Sequence, residues 1–70
     1  MLRIQKERER QRLSRSALSR IAEMHPATVG QIESGYIGKP YASQLCKLAN
    51  ALGWPADRAS ELIDEMPTDD

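Results

Sequence analysis

The stretch MHPATVGQIESG, residues 24–35, combines residue types and spacings that suit a chemical task. If it is helical, Val29 and Ile32 lie three residues apart and form a narrow apolar seam. The opposite face then carries small side chains and one amide, namely Ala27, Thr28, Gln31 and Ser34. Such a face is a poor protein–protein surface, which would favour tyrosine or tryptophan. It leaves the helix backbone free to approach another molecule closely.

The side chains of this face match the chemistry of DNA base edges. Gln31 can pair with adenine N6 and N7, whereas Ala27 and the Thr28 methyl group can contact a thymine methyl group. Gly30 lies beside them at a cost of about 0.8–1 kcal/mol in helix propensity, which indicates a steric requirement. The pattern therefore predicts a helix that enters a major groove. An ordinary polar surface helix remains the alternative.

The chain offers little for other chemistry. Cys46 is its single cysteine and His25 its single histidine, so neither a disulfide nor a zinc site is credible. Cys46 and Trp54 are expected in the core, and His25 as a helix cap or phosphate neighbour. The acidic residues near the C-terminus are expected to form a solvated face, and they are Asp57, Glu61, Asp64 and Glu65. We expect no enzyme activity, cofactor, metal or small-molecule ligand.

Composition and charge limit the classes of protein. Seventy residues suffice for one small domain, and the absence of phenylalanine predicts an aliphatic, alanine-rich core. The formal net charge is zero, but residues 1–40 carry eight Lys/Arg against four Glu, and residues 41–70 carry two against six acids. This division favours a polyanionic partner on one side, although a solvated helix face explains it too. Neither a membrane span nor a secretory signal is expected, so we predict a cytoplasmic, nucleoid-associated protein of a bacterial cell.

Apolar spacing and capping residues predict an all-α domain without strands. The predicted helices span about residues 2–12, 15–22, 26–34, 41–52 and 56–66. Ser14 is expected to cap the second helix, His25 or a neighbour with Pro26 to begin the third, and Gly53 to end the fourth. Residues 67–70 are expected to form a frayed acidic end. Only two or three residues join the second and third helices, which predicts the steep crossing of a helix-turn-helix.

These residues resemble a known family. LSRSALSRIAEMHPATVGQIESG, followed by GKP and LCKLANALGW, is similar to the helix-turn-helix domain of phage repressor/Cro-type (Xre-like) regulators. The matching positions are Arg8, Ser14, Leu18, Ser19, His25 to Val29, Ile32 to Gly35, Pro40 and Leu48 to Gly53. The resemblance covers residues 4 to about 63 and implies a compact five-helix, lambda-repressor-like fold.

The resemblance also implies site residues. Those that would face the bases are Pro26, Ala27, Thr28 and Gln31. Those that would hold DNA phosphates, at the start of the second helix and after the third, are Ser14, Arg15, Ser34, Tyr36 and Lys39. Glu33 would pair with Arg8, and we interpret that ion pair as structural.

Three positions depart from the family pattern. Ser19 replaces a usual alanine but is small enough for a close helix crossing. Glu23 replaces a turn glycine and is expected to adopt a positive φ, which is uncommon for residues with a Cβ. Ile21 stands where a polar residue is usual, so it is either an overpacked core residue or part of a protein interface.

The function expected from these residues is sequence-specific binding of double-stranded DNA by a transcriptional regulator. We expect a Cro-like phage or prophage repressor that binds a palindromic operator as a homodimer. Two alternatives stay open: an antitoxin-type autoregulator with a toxin-binding surface at Leu62, Ile63 and Met66, and a protein-interaction module that kept the fold without DNA binding. The dimer contact could lie in the loop at residues 36–37 or on helix 56–66, and a monomer in solution is equally compatible.

Overall fold

The computed structural model describes residues 1–67, which form four α-helices followed by one 3-10 helix. The elements are α1 (Arg3–Arg10), α2 (Arg15–Ala22), α3 (Pro26–Glu33), α4 (Ala42–Leu52) and the 3-10 helix (Ala56–Ile63). Within residues 1–67, β-structure is limited to one isolated antiparallel bridge between Leu2 and Glu65. The all-α class and the five helices predicted from the sequence are confirmed. Of the predicted acidic end, residues 68–70 lie outside the described residues.

The helix starts follow the predicted capping residues. The Ser14 hydroxyl accepts the Ala17 N–H at 3.0 Å, and His25 Nδ1 accepts the Ala27 N–H at 3.1 Å. Pro26 occupies the first turn of α3, where the backbone needs no donor. Each cap satisfies an amide that the first turn leaves without an intrahelical partner.

Three helices end in the same hydrogen-bonded turn, the Schellman motif, which requires a left-handed residue just after the helix. Gly53 fills that position after α4 with φ 72°. Arg12 and Glu23 fill it after α1 and α2 with φ 59° and φ 58°. In each turn the next amide reaches back to the helix, at 3.0 Å, 2.8 Å and 2.7 Å for Leu13, Met24 and Trp54 respectively. The positive φ predicted for Glu23 is confirmed, and α1 ends at Arg10 because Arg12 is left-handed.

The fifth helix differs from the predicted one, which ran to residue 66. It has 3-10 geometry, contains a non-helical residue at Arg58 (φ −116°, ψ 17°), and ends at Ile63. Beyond it, the Asp64 carbonyl accepts the Arg3 N–H at 2.9 Å, and the Met66 N–H donates to the Met1 carbonyl at 2.8 Å. Residues 64–66 therefore run extended, since their backbone groups pair with the N-terminal residues instead of continuing the helix.

The core is aliphatic and alanine-rich, as predicted. Its buried apolar members are Ile4, Leu18, Ala22, Val29, Ile32, Leu45, Leu48, Ala49, Leu52, Ala59 and Leu62. Cys46 was expected among them but is exposed. Leu45 and Leu48 already fill the inward face of α4, and Cys46 is rotated by roughly 100° from Leu45.

Of the apolar residues expected to form a toxin-binding surface in the fifth segment, two lie against the core and Met66 is half-buried. Leu62 is completely buried, and Ile63 packs against the core. Trp54 also lies half-buried against the core, and its Nε1 donates to the Arg58 carbonyl at 3.0 Å. The Arg3 and Arg58 guanidinium carbons lie 5.6 Å and 5.3 Å from the centre of the Trp54 ring, so the indole joins α1 to the 3-10 helix.

Candidate nucleic-acid interface

The turn between α2 and α3 sets the angle at which α3 leaves the domain. Glu23 is left-handed (φ 58°, ψ 45°), and the Met24 N–H donates to the Ser19 carbonyl at 2.8 Å. Ser19 is buried at the crossing, and its hydroxyl donates to the Ser16 carbonyl at 2.7 Å. A small side chain whose hydroxyl bonds within its own helix lets α3 pack closely, as expected for this position.

The two faces of α3 differ sharply in burial. Val29 and Ile32 are completely buried and hold the helix on the domain. Of the predicted base-facing residues, Pro26, Ala27 and Gln31 are exposed, and Thr28 is half-buried. The structure therefore brings these four residues onto the open side and one flank of α3. Within residues 1–67, no other part of the protein covers Ala27 or Gln31 enough to bury it.

Gly30 is half-buried on a flank of α3. A Cβ added at Gly30 would lie 3.7 Å from Arg15 Nη1 and 3.9 Å from Arg15 Cδ, which is ordinary van der Waals contact. The flank of α3 at Gly30 is thus covered by a side chain of α2. The chain itself would accept an alanine at this position.

Arg8 and Glu33, expected as an ion pair, lie against each other between α1 and α3. Arg8 Nε donates to Glu33 Oε2 at 2.7 Å and Arg8 Nη2 to Glu33 Oε1 at 3.1 Å. Arg8 Nη1 donates to the Leu13 carbonyl at 2.7 Å, so the guanidinium also fixes the end of α1. Both residues are buried, which makes the pair part of the domain interior.

A second arginine bonds to the same carboxylate. Arg15 Nε donates to Glu33 Oε1 at 3.1 Å, while the Arg15 side chain stays 49% exposed. Sequence reasoning missed this contact because the two residues are 18 positions apart and only the helix crossing brings them together. The expected phosphate ligand Arg15 is therefore held at the junction of α2 and α3.

The other predicted phosphate ligands lie at the start of α2 and in the segment after α3. Ser14 is exposed and caps α2. The Ser34 hydroxyl donates to the Gln31 carbonyl at 3.2 Å and accepts the Tyr36 N–H at 3.4 Å. Tyr36 is 82% exposed, and Lys39 is also exposed. The predicted phosphate ligands that precede α3 in the sequence and those that follow it are therefore all accessible to solvent.

The loop from α3 to α4 is ordered by backbone contacts rather than by its tyrosines. Gly35 has φ 84°, and the Ile37 N–H donates to the Gln31 carbonyl at 3.1 Å. Ile37 packs against the core, so it is not the exposed apolar residue expected at residues 36–37. Tyr41, which sequence reasoning did not select, is 76% exposed and precedes α4.

Ile21 is 55% exposed, which excludes the overpacked-core interpretation and leaves the interface one. It borders a shallow cleft of about 210 Å³ between the end of α2 and α4. The residues that line this α2–α4 cleft are Ile21, Ala22, Glu23, Lys47, Asn50 and Ala51. The cleft thus places the exposed Ile21 near one acid, Glu23, and one lysine, Lys47.

Part of the positive charge of the N-terminal half is already paired. Hydrogen bonds from Arg10, and more weakly from Gln11, hold the pKa of Glu7 below its usual range. The same arrangement lowers the pKa of Glu61, because Arg58 donates to it from the preceding turn. Arg10, Arg58 and Arg15 thus each pair with a carboxylate, while their side chains stay 68%, 54% and 49% exposed, respectively.

Within the described residues, no group of three or more His, Cys, Asp or Glu side chains could hold a metal ion. None of the helices in residues 1–67 is both long and apolar enough to cross a membrane.

Comparison with curated proteins and with solved structures finds no match. A family model described as a helix-turn-helix domain matches residues 2–62, which include α2, the Glu23 turn and α3. The matched region covers nearly the whole chain and contains the exposed face of α3. The chain therefore belongs to the helix-turn-helix domain family.

Proposed function

We propose that the protein is a sequence-specific transcriptional regulator that places α3 in the major groove of double-stranded DNA. One observation carries the proposal. Val29 and Ile32 anchor α3 in the core, while Ala27 and Gln31 on its other face are exposed to solvent. The exposed face can therefore approach base edges without any rearrangement of the core. The match to the helix-turn-helix domain family supports the same conclusion.

The proposed contacts divide into base readout and phosphate binding. Base readout falls to Pro26, Ala27, Thr28 and Gln31, with Gln31 paired to an adenine. Phosphate binding falls to Ser14, Arg15, Ser34, Tyr36 and Lys39. The exposure of Arg15 and Lys39 supports this division, because cations that contact phosphates must reach solvent in the free protein.

We further propose a Cro-like phage or prophage repressor that binds a palindromic operator as a homodimer. In such complexes the two recognition helices lie about 34 Å apart, one turn of DNA. The α2–α4 cleft supports a two-fold contact here. Glu23 and Lys47 both line it beside the exposed Ile21, so two copies can pair Glu23 with Lys47 in both directions.

The experiment is a selection from a random-core DNA library, followed by fluorescence anisotropy of the selected site at two salt concentrations. We expect an inverted repeat and an affinity that falls steeply with salt, since each neutralised phosphate releases counterions. Gln31→Ala should relax the preference at one base position per half-site. Ser43→Ala, an exposed position outside the proposed contacts, serves as the matched control. Weak binding that is indifferent to sequence would contradict the proposal.

One observation favours a second candidate, a protein-interaction module that kept the fold. Among the residues that the structure describes, the large apolar or aromatic side chains that are exposed are Ile21, Tyr36 and Tyr41. An apolar protein interface would depend little on salt, so the same titration separates the two candidates.

A further inference from the structure

The carboxylate of Glu33 accepts hydrogen bonds from two guanidinium groups, one buried and one about half exposed. Its side chain is 0% exposed, and it accepts two hydrogen bonds from Arg8 and one from Arg15. Arg8 is buried, its Nη1 donates to the Leu13 carbonyl, and its Nη2 also lies 3.8 Å from Glu9 Oε2. Of the two guanidinium groups on Glu33, the one that reaches solvent is therefore that of Arg15, whose side chain is 49% exposed.

Contacts with Glu33 and with the flank of α3 hold the Arg15 side chain in one orientation. Its Nε is bonded to Glu33, and its Cδ and Nη1 lie against the flank of α3 at Gly30. Gln31 follows Gly30 by one residue and is rotated from it by roughly 100°. The guanidinium thus lies along the edge of the face that carries Gln31, with the four N–H donors of its two Nη groups left for another partner.

We infer that Glu33 is a positioning residue for DNA binding, which holds the Arg15 guanidinium across Gly30 so that its Nη groups meet a backbone phosphate beside the bases at Gln31. This inference rests on the proposed function and extends it. The Glu33 carboxylate then has two roles: it pairs with the buried Arg8, and it orients the Arg15 guanidinium that contacts DNA. A held guanidinium loses less freedom on binding than a free one, and its planar fork matches two phosphate oxygens.

The substitution Arg15→Lys provides the sharpest test, because lysine keeps the positive charge but lacks the Nε–H that Arg15 donates to Glu33. We expect Arg15→Lys to weaken binding by about tenfold for every DNA sequence, at an unchanged base preference. Arg20→Lys is the matched control: Arg20 lies on the same helix, is exposed, and has no ion pair within the part of the chain that the structure describes. The control should bind as the wild type does.

Two further variants connect the loss to Glu33 and Gly30. Gly30→Val adds methyl groups where Arg15 lies and should weaken binding as Arg15→Lys does, whereas Gly30→Ala places only a Cβ in ordinary contact and should leave binding unchanged. In the Arg8→Met, Glu33→Leu background, which has no acceptor at position 33 and no buried charge, Arg15→Lys should no longer matter. Circular dichroism checks that each variant is folded, and the Gly30 pair decides the question if that background is not.

The outcomes separate this inference from the proposed function. Wild-type binding with a steep salt dependence, but equal affinity of Arg15→Lys, would overturn the inference alone, since Arg15 would then act as a simple point charge. Relaxed preference at a single base position would also overturn it, because Arg15 would then read a guanine. Absence of salt-dependent binding by the wild type would overturn the proposed function, and the inference with it.

Discussion

Two residues other than glycine, Arg12 and Glu23, have a left-handed backbone conformation, which strains the chain at the ends of α1 and α2. Arg12 and Glu23 have φ 59° and φ 58°, where an L-residue loses about 1–2 kcal/mol to contact between its Cβ and the backbone. Both are exposed, so their side chains gain little burial in return. We expect Glu23→Gly to raise the free energy of unfolding by about 1 kcal/mol, after the greater flexibility of glycine in the unfolded chain is counted.

Urea denaturation measures this change, and Arg12→Gly should behave similarly. Gly53→Ala is the reverse control, because Gly53 has φ 72° after α4, and it should lose stability. A Glu23→Gly variant that is less stable than the wild type would show that the Glu23 side chain stabilises the turn by contacts outside the helix end.

The buried pair of Arg8 and Glu33 gives a second prediction at the residue scale. Arg8→Met removes two of the three hydrogen bonds to a carboxylate with no exposed surface and leaves it only the bond from Arg15, so we expect a loss somewhat below the about 3–5 kcal/mol of a buried charge without any partner. Arg8→Met combined with Glu33→Leu should recover much of this loss, since no buried charge then remains. Thermal and urea unfolding of the four proteins in this cycle measure the coupling. Equal losses in the single and double variants would mean that packing, not charge, holds α1 to α3.

The residues that sequence reasoning placed correctly depend on neighbours along the chain. The caps at Ser14 and His25 and the end at Gly53 are local, so they could be predicted from adjacent residue types. Cys46 was misplaced although its rotation of roughly 100° from Leu45 can be read from the sequence, whereas the side chain that covers the flank at Gly30 comes from another helix. The Arg15–Glu33 contact was missed for the same reason: it exists only once α2 and α3 have crossed.

At the scale of the element, the helix ends follow a pattern that was visible in the sequence. An apolar residue comes directly after the left-handed position in each Schellman turn, and these residues are Leu13, Met24 and Trp54. Such a residue commonly packs back on its helix, so glycine is not the only signal of a helix end. The end of the 3-10 helix carried no such signal, because residues 64–66 pair with an N-terminal segment more than 60 positions away.

Ion pairs within single helices give the fold a pH dependence. Hydrogen bonds from Arg10 hold the pKa of Glu7 below its ordinary value of 4.5, and those from Arg58 do the same for Glu61. Since the folded pKa is lower than the unfolded one, the stabilisation is complete above about 4.5 and is lost as the pH falls through the folded pKa. We expect the unfolding free energy of the wild type to drop more steeply below pH ~4.5 than that of Glu7→Gln.

Urea denaturation at several pH values across this window measures the difference. Glu61→Gln should flatten the curve as well, and the two effects should add because the residues lie on different helices. Parallel curves for the wild type and Glu7→Gln would show that Glu7 interacts equally with its surroundings in the folded and unfolded chains.

At the scale of the whole molecule, one proposed partner is a second copy of the chain, and the contact most consistent with the exposed side chains is the α2–α4 cleft. The loop at residues 36–37 and the helix predicted at 56–66 offer less aliphatic surface, because Ile37 and Ile63 pack against the core, while Tyr36 of the loop is exposed. Ile21 instead presents more than half of its surface. The cleft is small, so the expected dimer is weak in solution and is favoured when both copies occupy one operator.

Charge reversal tests this contact, because a two-fold axis forces Glu23 of one copy against Lys47 of the other in both places at once. We expect Glu23→Lys and Lys47→Glu each to shift sedimentation toward the monomer, and the double variant to restore association by re-forming the pairs in reverse. Ile21→Lys should abolish association, whereas Tyr41→Lys, an equally disruptive change at an exposed position outside the cleft, should not. Restoration is the decisive result, since general loss of stability cannot produce it. A wild-type chain that stays monomeric at high concentration and binds the operator as one copy would contradict the dimer, while leaving the proposed contacts of α3 with a half-site intact.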